Sequence, residues 1–581
     1  RNTKPPLLFW QAMSVGWVGL DWQLLWLRLP SLLYTVATTL GVVWATRALC
    51  ASAEAPAQPA ALNARSLGYV GGLFFLAFFS TYRYGRPYLT SAIETFWMGL
   101  PIAYLLHLQL GQAHQQPQGA DHDRHTETPH TASNPPHTIG LFACAGLSMG
   151  AVALYKSFVL IVPMAGALFL ALCWLHPTHW RRWLISTSAS VLFGLLCFGL
   201  WFALDPDPQS VWREFVIGEN LGKMDQGGPS YWQTALYGGF SVWWQALAVP
   251  QNAWLLAPVV AGVLVAGMSR LAGAWRLWRH HARASTAVLW WYVAVMYLFF
   301  MLPSQRSSRY LIPLMPVMAV LCATQIWSWS RLAHRLALGL STLLCALSLS
   351  VLGVFLWAGW RIDLYPLWGR MGLYLMLALQ VLALLRLLLS LRPDASTVEV
   401  VRADTRLHVS WLWLLGWIIS LYAWFGLLSA PLHTASNRYN AESQARVTGL
   451  RLAVPSYFNG DFERWRFLLS TVQQITPYAA DDLRIGDTLH SAEAQARLKE
   501  LLRTHDAVVV HGLWHDAPLD CQALGCTIVQ QRIALRGRHK PGEINTTALY
   551  SPEDLLFWHE YLLVARATGD VSRPTHMTKQ P

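Results

Sequence analysis

Seven side chains could do chemistry on an anionic lipid or a sugar, and all stand at the edge of an apolar run or in an outer loop between two of them. Lys4 precedes Pro5-Pro6 near the start of the chain. Arg86 and Glu94 lie in "TYRYGRPYLTSAIETFW", and Lys156 lies in "LYKSFVLIVP". Lys223 belongs to "REFVIGENLGKMDQGGPSYW", and Arg309 and Tyr310 to "LPSQRSSRYLIPLMP", which also carries Arg306. Ionisable groups beside lipid are costly, so those that are kept tend to serve a function. Lys and Arg at such a surface neutralise a phosphate through charge-assisted hydrogen bonds. A carboxylate can take the proton of a hydroxyl acceptor as a sugar migrates to it. Taken one at a time, these residues also have plainer readings. Interfacial Arg and Lys reach out to the head groups, and Glu94 caps its helix. Spacing alone therefore names no enzyme.

The elements that must position these groups follow from composition. The chain has 581 residues, of which 54% are hydrophobic and only 13% charged. A soluble protein carries about a quarter charged residues, so this deficit points to a bilayer. Apolar runs fall at 30–49, 67–80, 89–110, 138–154, 157–176, 183–203, 240–268, 286–303, 309–327, 336–358, 368–391 and 409–429. Runs of about 20 residues cross a hydrocarbon core, which predicts a polytopic α-helical membrane protein of about 12 spans. The net charge of +12 does not indicate a nucleic-acid partner, because no basic block interleaved with aromatics occurs. In a membrane protein Lys and Arg collect in cytoplasmic loops. Arg181–Arg182, Arg270 to Arg283, Arg331–Arg335 and Arg392 to Arg406 fall on one side by span counting, taken here as cytoplasmic. The opposite side receives 1–29, the loop 204–239 and everything after about 430. A polar segment that begins outside implies a span in front of Arg1.

Three domains are expected: an outer loop with juxtamembrane helices over 1–29, a transmembrane domain over 30–429, and a soluble αβ domain over 430–581. Strand-like "HDAVVVHGLW" and "CTIVQQRIAL" support the last of these. Its Cys521 and Cys526 could close a short disulfide in an oxidising compartment. The other six cysteines, in or beside apolar runs, read as packing residues. "NTT" at Asn545–Thr547 fits a glycosylation acceptor, a pattern frequent by chance. The tract holding His114, His122, His125, His130 and His137 reads as a disordered cytoplasmic loop rather than a metal site, being rich in Pro and Gln with no regular ligand spacing.

The order of the motifs carries more than any one of them. "TKPPLLFW", "LRLPS", "YGRPYLTSAIETFW", "YKSFVLIVP", "REFVIGENLGKM" and "SSRYLIPLMPVMAVL" together resemble the GT-C superfamily over about residues 1–330. The nearest branch is the bacterial aminoarabinose–lipid A transferase and protein O-mannosyltransferase-like group. "AVPSYFNGDFERWRFLL" resembles the periplasmic domain of bacterial members more loosely. The resemblance implies an inner-membrane glycosyltransferase with a periplasmic C-terminal domain. Such an enzyme moves a sugar from a polyprenyl (undecaprenyl) phosphate to a periplasmic lipid A, glycan or protein acceptor with inversion. Its lipid partners are the donor and the surrounding membrane.

By motif position the resemblance makes Lys4 and Lys223 contacts of the carrier's phosphate. It places Tyr310 beside that phosphate and Glu94 near the family's second acidic residue. Arg309, Arg86 and Lys156 join the donor-binding set as cations of the same outer face. It also places the main catalytic acid before the "KPP" segment, upstream of Arg1, so the chain as given is expected to be inactive alone. Asp21 is not taken as its substitute. The zinc-holding positions of the lipid A transferases read Thr3 and about Asn220, so no metal is expected, although a divalent ion is not excluded. Two other classes remain open: a lipid or solute transporter, and a non-catalytic binder of lipid-linked sugars. No internal repeat supports the transporter.

Overall fold

The structure, a computed structural model, describes residues 4–17, 24–51, 64–115, 139–221, 231–238, 241–273, 284–303, 306–325, 331–365, 367–391, 403–422, 432, 437–456, 463–479, 491–514, 517–536 and 550–566. Lys223, Thr3, Asp21, Asn545–Thr547 and the histidines from His122 to His137 lie outside the described residues. Among those described, six helices are long and apolar enough to cross a membrane: Trp26–Ala51, Phe158–Leu175, Pro177–Leu204, Ala248–Gly267, Leu332–Arg361 and Gly369–Leu391. Four shorter apolar helices accompany them, Ala64–Ala77, Ile139–Tyr155, Ser285–Phe299 and Ser410–Tyr422. Of the spans expected from sequence, about 12 in number, six thus meet the length and composition criteria. Leu184, Ile185, Leu192 and Leu196 on one helix are exposed, an outward apolar face that suits lipid and not water.

Contacts divide the chain into two compact units: residues 1–346 with 380–421, and residues 347–379 with 422–581. In the first unit, small residues let helices approach closely, as is usual where lipid removes the hydrophobic drive between them. Gly68, Gly71 and Gly72 of the helix Ala64–Ala77 meet Val43 and Thr46 of the helix Leu24–Ala51. A Cβ on Gly71 would stand 2.3 Å from Thr46 Oγ1, inside any tolerable contact. Gly71→Ala is expected to destabilise the first unit by about 1–3 kcal/mol through overpacking. Gly41→Ala, where a Cβ meets nothing within 4 Å, serves as control. Thermal unfolding in detergent checks the pair, and equal midpoints would sink the close-packing argument.

The second unit holds a five-stranded sheet. Its strands are β1 (Arg451–Ser456), β2 (Gln474–Ala479), β3 (Ala507–Leu513), β4 (Cys526–Leu535) and β5 (Phe557–Ala565). Their order is β2-β1-β3-β5-β4. β1 runs parallel to β2 and β3, whereas β5 runs antiparallel to β3 and β4. Central β3 is buried along nearly its whole length, as its unbroken Ala-Val-Val-Val run requires of a strand covered on both faces. The two strand-like stretches found in the sequence are β3 and β4, and the αβ character of this region follows. Phe557 and Trp514, at one end of the sheet, pack on Leu352, Phe355 and Tyr365 within the same unit. An ion pair of 2.7 Å between Arg361 and Glu553 braces that contact. Asp520 accepts from the Gln522 and Ala523 amides to start a short turn, and Gly525 ends it in the left-handed region (φ 68°). The turn brings the sulfurs of Cys521 and Cys526 within 2.7 Å of each other.

Candidate functional site

A cavity of about 560 Å³ opens in the first unit, and most of the residues singled out in the sequence line it. Lys4, Glu94, Lys156, Arg309 and Tyr310 all face this space. They come from four remote stretches, so tertiary folding and not local spacing assembles them. Apolar side chains such as Phe158, Phe299 and Phe300 complete the walls. A mixed lining of this kind, apolar with a few converging charges, is the common form of a small-molecule site.

Each cation is placed by an identifiable local cause. The helix Leu7–Trp17 begins just after Pro5-Pro6, with Lys4 at its lip. That helix is tied to the body by Tyr88, whose hydroxyl donates to Leu8 O (2.8 Å), and by Tyr155, which donates to Gln11 Oε1 (2.8 Å). Lys156 sits where the helix Ile139–Tyr155 ends. The next residue, Ser157, caps the 3₁₀ turn Phe158–Leu160 by accepting from the Val159 amide (3.2 Å). Ser307 caps the following 3₁₀ segment, Ser308–Leu314, in the same way, and this fixes Arg309 and Tyr310 at its first turn. Asn252 and Gln245 donate to the Ser308 and Ser307 carbonyls (2.7 and 3.3 Å) and hold the segment from behind. The Arg309 guanidinium lies over the Tyr84 ring, 5.1 Å from its centre.

Two ion pairs dominate the electrostatics. Lys156 Nζ lies 3.2 Å from Glu94 Oε2, and the Glu94 side chain is only 3% exposed. Lys4 Nζ lies 3.2 Å from Glu219 Oε2, with side-chain exposures of 62% and 27%. Glu219 comes from the helix Val211–Leu221, wound with i→i+5 hydrogen bonds, a form that recurs at functional sites. Its neighbour Asn220 accepts from the Ser157 hydroxyl (2.6 Å) and donates to Phe215 O (2.8 Å). This bond ties the segment bearing Glu219 to the one bearing Lys156. Because Asn220 is engaged in this way, it acts here as a brace. Among the described residues no group of three His, Cys, Asp or Glu is arranged to hold a metal.

Two expected residues are not brought to the cavity by the described structure. Arg86 is not among the lining residues; its guanidinium donates to Tyr82 O (3.1 Å) and to the Tyr82 hydroxyl, and stacks on that ring. Lys223 lies outside the described residues. Conversely, Glu219 and Ser157 belong to the cavity and were not singled out in the sequence. Glu219 stood inside the quoted "GENLGKM" motif, but only its pairing with a lysine 215 residues away marks it.

The sequence matches no protein-family model and no curated protein sequence. The fold does have counterparts among solved structures. Crystal structures of ArnT from Cupriavidus metallidurans, apo and bound to undecaprenyl phosphate, resemble it with TM-scores of 0.50 and 0.52. In each case 96% of this chain and 88% of the ArnT chain are covered, at 14% sequence identity. The chain thus shares the overall fold of these ArnT structures.

Proposed function

We propose that this chain is a membrane glycosyltransferase that moves a sugar from a polyprenyl-phosphate carrier to an acceptor at the outer face of a bacterial inner membrane. The observation that carries the reading is the cavity in which Lys4, Lys156 and Arg309 meet beside apolar walls. Three cations suit a phosphate, and apolar walls suit the first isoprene units attached to it. A similar fold bound to undecaprenyl phosphate supports the same donor class. In this reading about 12 spans surround the cavity, the basic loops face the cytoplasm, and the C-terminal domain stands outside. The acceptor is a lipid A, another glycan or a protein.

The reaction is a single displacement. An acceptor oxygen attacks the anomeric carbon, the bond from that carbon to the phosphate oxygen breaks, and polyprenyl phosphate leaves with the electron pair. Attack opposite the leaving group inverts the anomeric centre. Lys4, Lys156 and Arg309 stabilise the charge that develops on the phosphate, with Tyr310 beside them and Lys223 as a further contact. Glu94 anchors Lys156 at the cavity wall. Within this chain Glu94, which lines the same cavity, is the carboxylate proposed to act in the transfer.

The test is sugar transfer from a radiolabelled polyprenyl-phosphate sugar by the natural full-length protein in membrane vesicles. Lys4→Ala should lower kcat/KM about 10- to 100-fold, the worth of one charge-assisted hydrogen bond, with little change in thermal stability. Binding of the lipid with no transfer to any acceptor class would favour the non-catalytic binder instead. Uptake of the lipid without transfer would favour the transporter.

A further inference from the structure

The short helix Val242–Ala246 is inside out for a surface that meets water. Its polar residue, Gln245, is buried and donates to Ser307 O (3.3 Å). Trp243 and Trp244 stand exposed, as does Leu247, which closes the helix. At 3.6 residues per turn these three fall within a sector of about 100°, so they form one outward apolar face. The helix before it, Tyr231–Tyr237, also exposes its aromatics, Trp232 and Tyr237. The helix after it, Ala248–Ala253, buries Asn252, which donates to Ser308 O (2.7 Å). Residues 231–254 contain no Asp, Glu, Lys, Arg or His. Large apolar side chains outward and amides inward, with no charge between them, mark an interaction surface.

Continuity with the membrane-crossing helices decides what covers this face. The helix Val242–Ala246 leads directly into Ala248–Gly267, which is long and apolar enough to cross a bilayer. On the helix Pro177–Leu204 the outward side chains named above are Leu and Ile, suited to hydrocarbon. Here they are chiefly Trp and Tyr, whose amphipathic rings settle at the level of the head groups. We propose that the helices Tyr231–Tyr237 and Val242–Ala246 form an interfacial anchor. Trp232, Tyr237, Trp243, Trp244 and Leu247 dip into the boundary between head groups and acyl chains, in the leaflet on which the cavity opens. Because these helices carry no charge, buried ring and alkyl surface supplies the binding, and attraction to anionic lipid adds nothing. The anchor is tied to the cavity wall at three points. Tyr231 donates to Leu302 O (2.6 Å), as Gln245 and Asn252 do to the Ser307 and Ser308 carbonyls. Arg309 and Tyr310 follow in the chain, so the anchor fixes the depth at which that wall meets the membrane. This assignment goes beyond the glycosyltransferase reading and stands without it.

Depth measurement on the natural full-length protein in phosphatidylcholine nanodiscs tests the anchor. A nitroxide borne by a non-natural amino acid replaces Trp243, or one of two references. Leu192 is exposed on the helix Pro177–Leu204, and Arg446 is exposed on a helix of the second unit. Collisions with oxygen, which concentrates in lipid, and with a water-soluble nickel chelate report the depth of each label. The label at 243 should meet the chelate several-fold less often than the label at 446, and should lie shallower than the label at 192. Neither value should change when phosphatidylglycerol replaces phosphatidylcholine, nor between about 0.1 and 1 M salt, where surface charge attraction is screened. Trp243→Ser with Trp244→Ser should open a label at 247 to the chelate several-fold while the melting temperature in detergent stays the same, since both rings are exposed. Chelate contact at 243 equal to that at 446 overturns the anchor, and a depth that follows lipid charge or salt overturns its apolar basis. Shielding of 243 from oxygen and chelate alike gives the face to a protein partner, and spin–spin broadening gives it to a second copy of the chain; either result overturns the proposal.

Discussion

Glu94→Ala is expected to abolish transfer and to weaken the first unit at the same time. The carboxylate is 3% exposed and is paired at 3.2 Å with Lys156. Removing it leaves an ammonium partly buried against apolar helices with no counter-charge. Breaking a buried pair from one side costs about 3–5 kcal/mol, much of it the desolvation of the orphaned charge. Lys156 then turns to solvent, and a donor's leaving phosphate loses one of its stabilising cations. Loss of one preorganised donor at a developing charge lowers kcat about 10²- to 10³-fold. A second variant separates the two effects. Lys156→Met with Glu94→Gln removes both charges at similar volume, and such paired replacements are often neutral for stability. The double variant should regain a near-natural melting temperature in detergent yet transfer no faster than Glu94→Ala. Transfer restored along with stability would mean that the pair is a structural clip and that phosphate is bound elsewhere.

That prediction shows where sequence and structure part company. Lys4, Lys156, Arg309 and Tyr310 could be picked out because each stands beside an apolar run, and motif order placed them on one face. Their convergence on one cavity was legible only as an expectation, since nothing local dictates it. The pairings themselves were not legible. Glu94 meets Lys156 across 62 residues and Glu219 meets Lys4 across 215, and no spacing rule reaches so far. Arg86 stands apart from the cavity's lining, where a tyrosine one turn earlier engages its guanidinium, a contact the motif does not reveal. In the second unit β3 announced itself by an unbroken buried run, whereas β5, "FWHEYLLVA", carries a His and a Glu that obscure the strand pattern. Those two polar residues are there for reasons of their own.

Glu560→Ala is expected to unfold much of the second unit. Glu560 lies on β5 with its side chain 4% exposed, and three groups converge on it. The Tyr439 hydroxyl donates to Oε1 (2.7 Å), Arg532 Nε donates to the same oxygen, and His511 Nε2 lies 3.0 Å from Oε2. Arg532 is itself only 8% exposed. Truncating the carboxylate strands that guanidinium inside the domain, a loss of about 3–5 kcal/mol. Against a typical domain stability of about 5–15 kcal/mol this is a large share. Limited proteolysis and thermal unfolding of the full-length protein check it, and a melting temperature equal to that of the natural protein would refute it. Acid should act through the same cluster. Burial alone would raise the Glu560 carboxyl, but the His511 hydrogen bond and the Arg532 charge outweigh it and hold it down at about 2. Burial first, then the nearby arginines 464 and 532, keep His511 below its ordinary 6.5, against the pull of Glu560. Both groups therefore bind fewer protons folded than unfolded. Their stabilisation is complete above the unfolded values and is lost as pH falls, first below about 6.5 through His511 and then from about 4.5 toward 2 through Glu560. In Glu560→Gln the lower of these two losses should disappear, while a decline unchanged between those limits would place the acid-labile carboxylate elsewhere in the sheet.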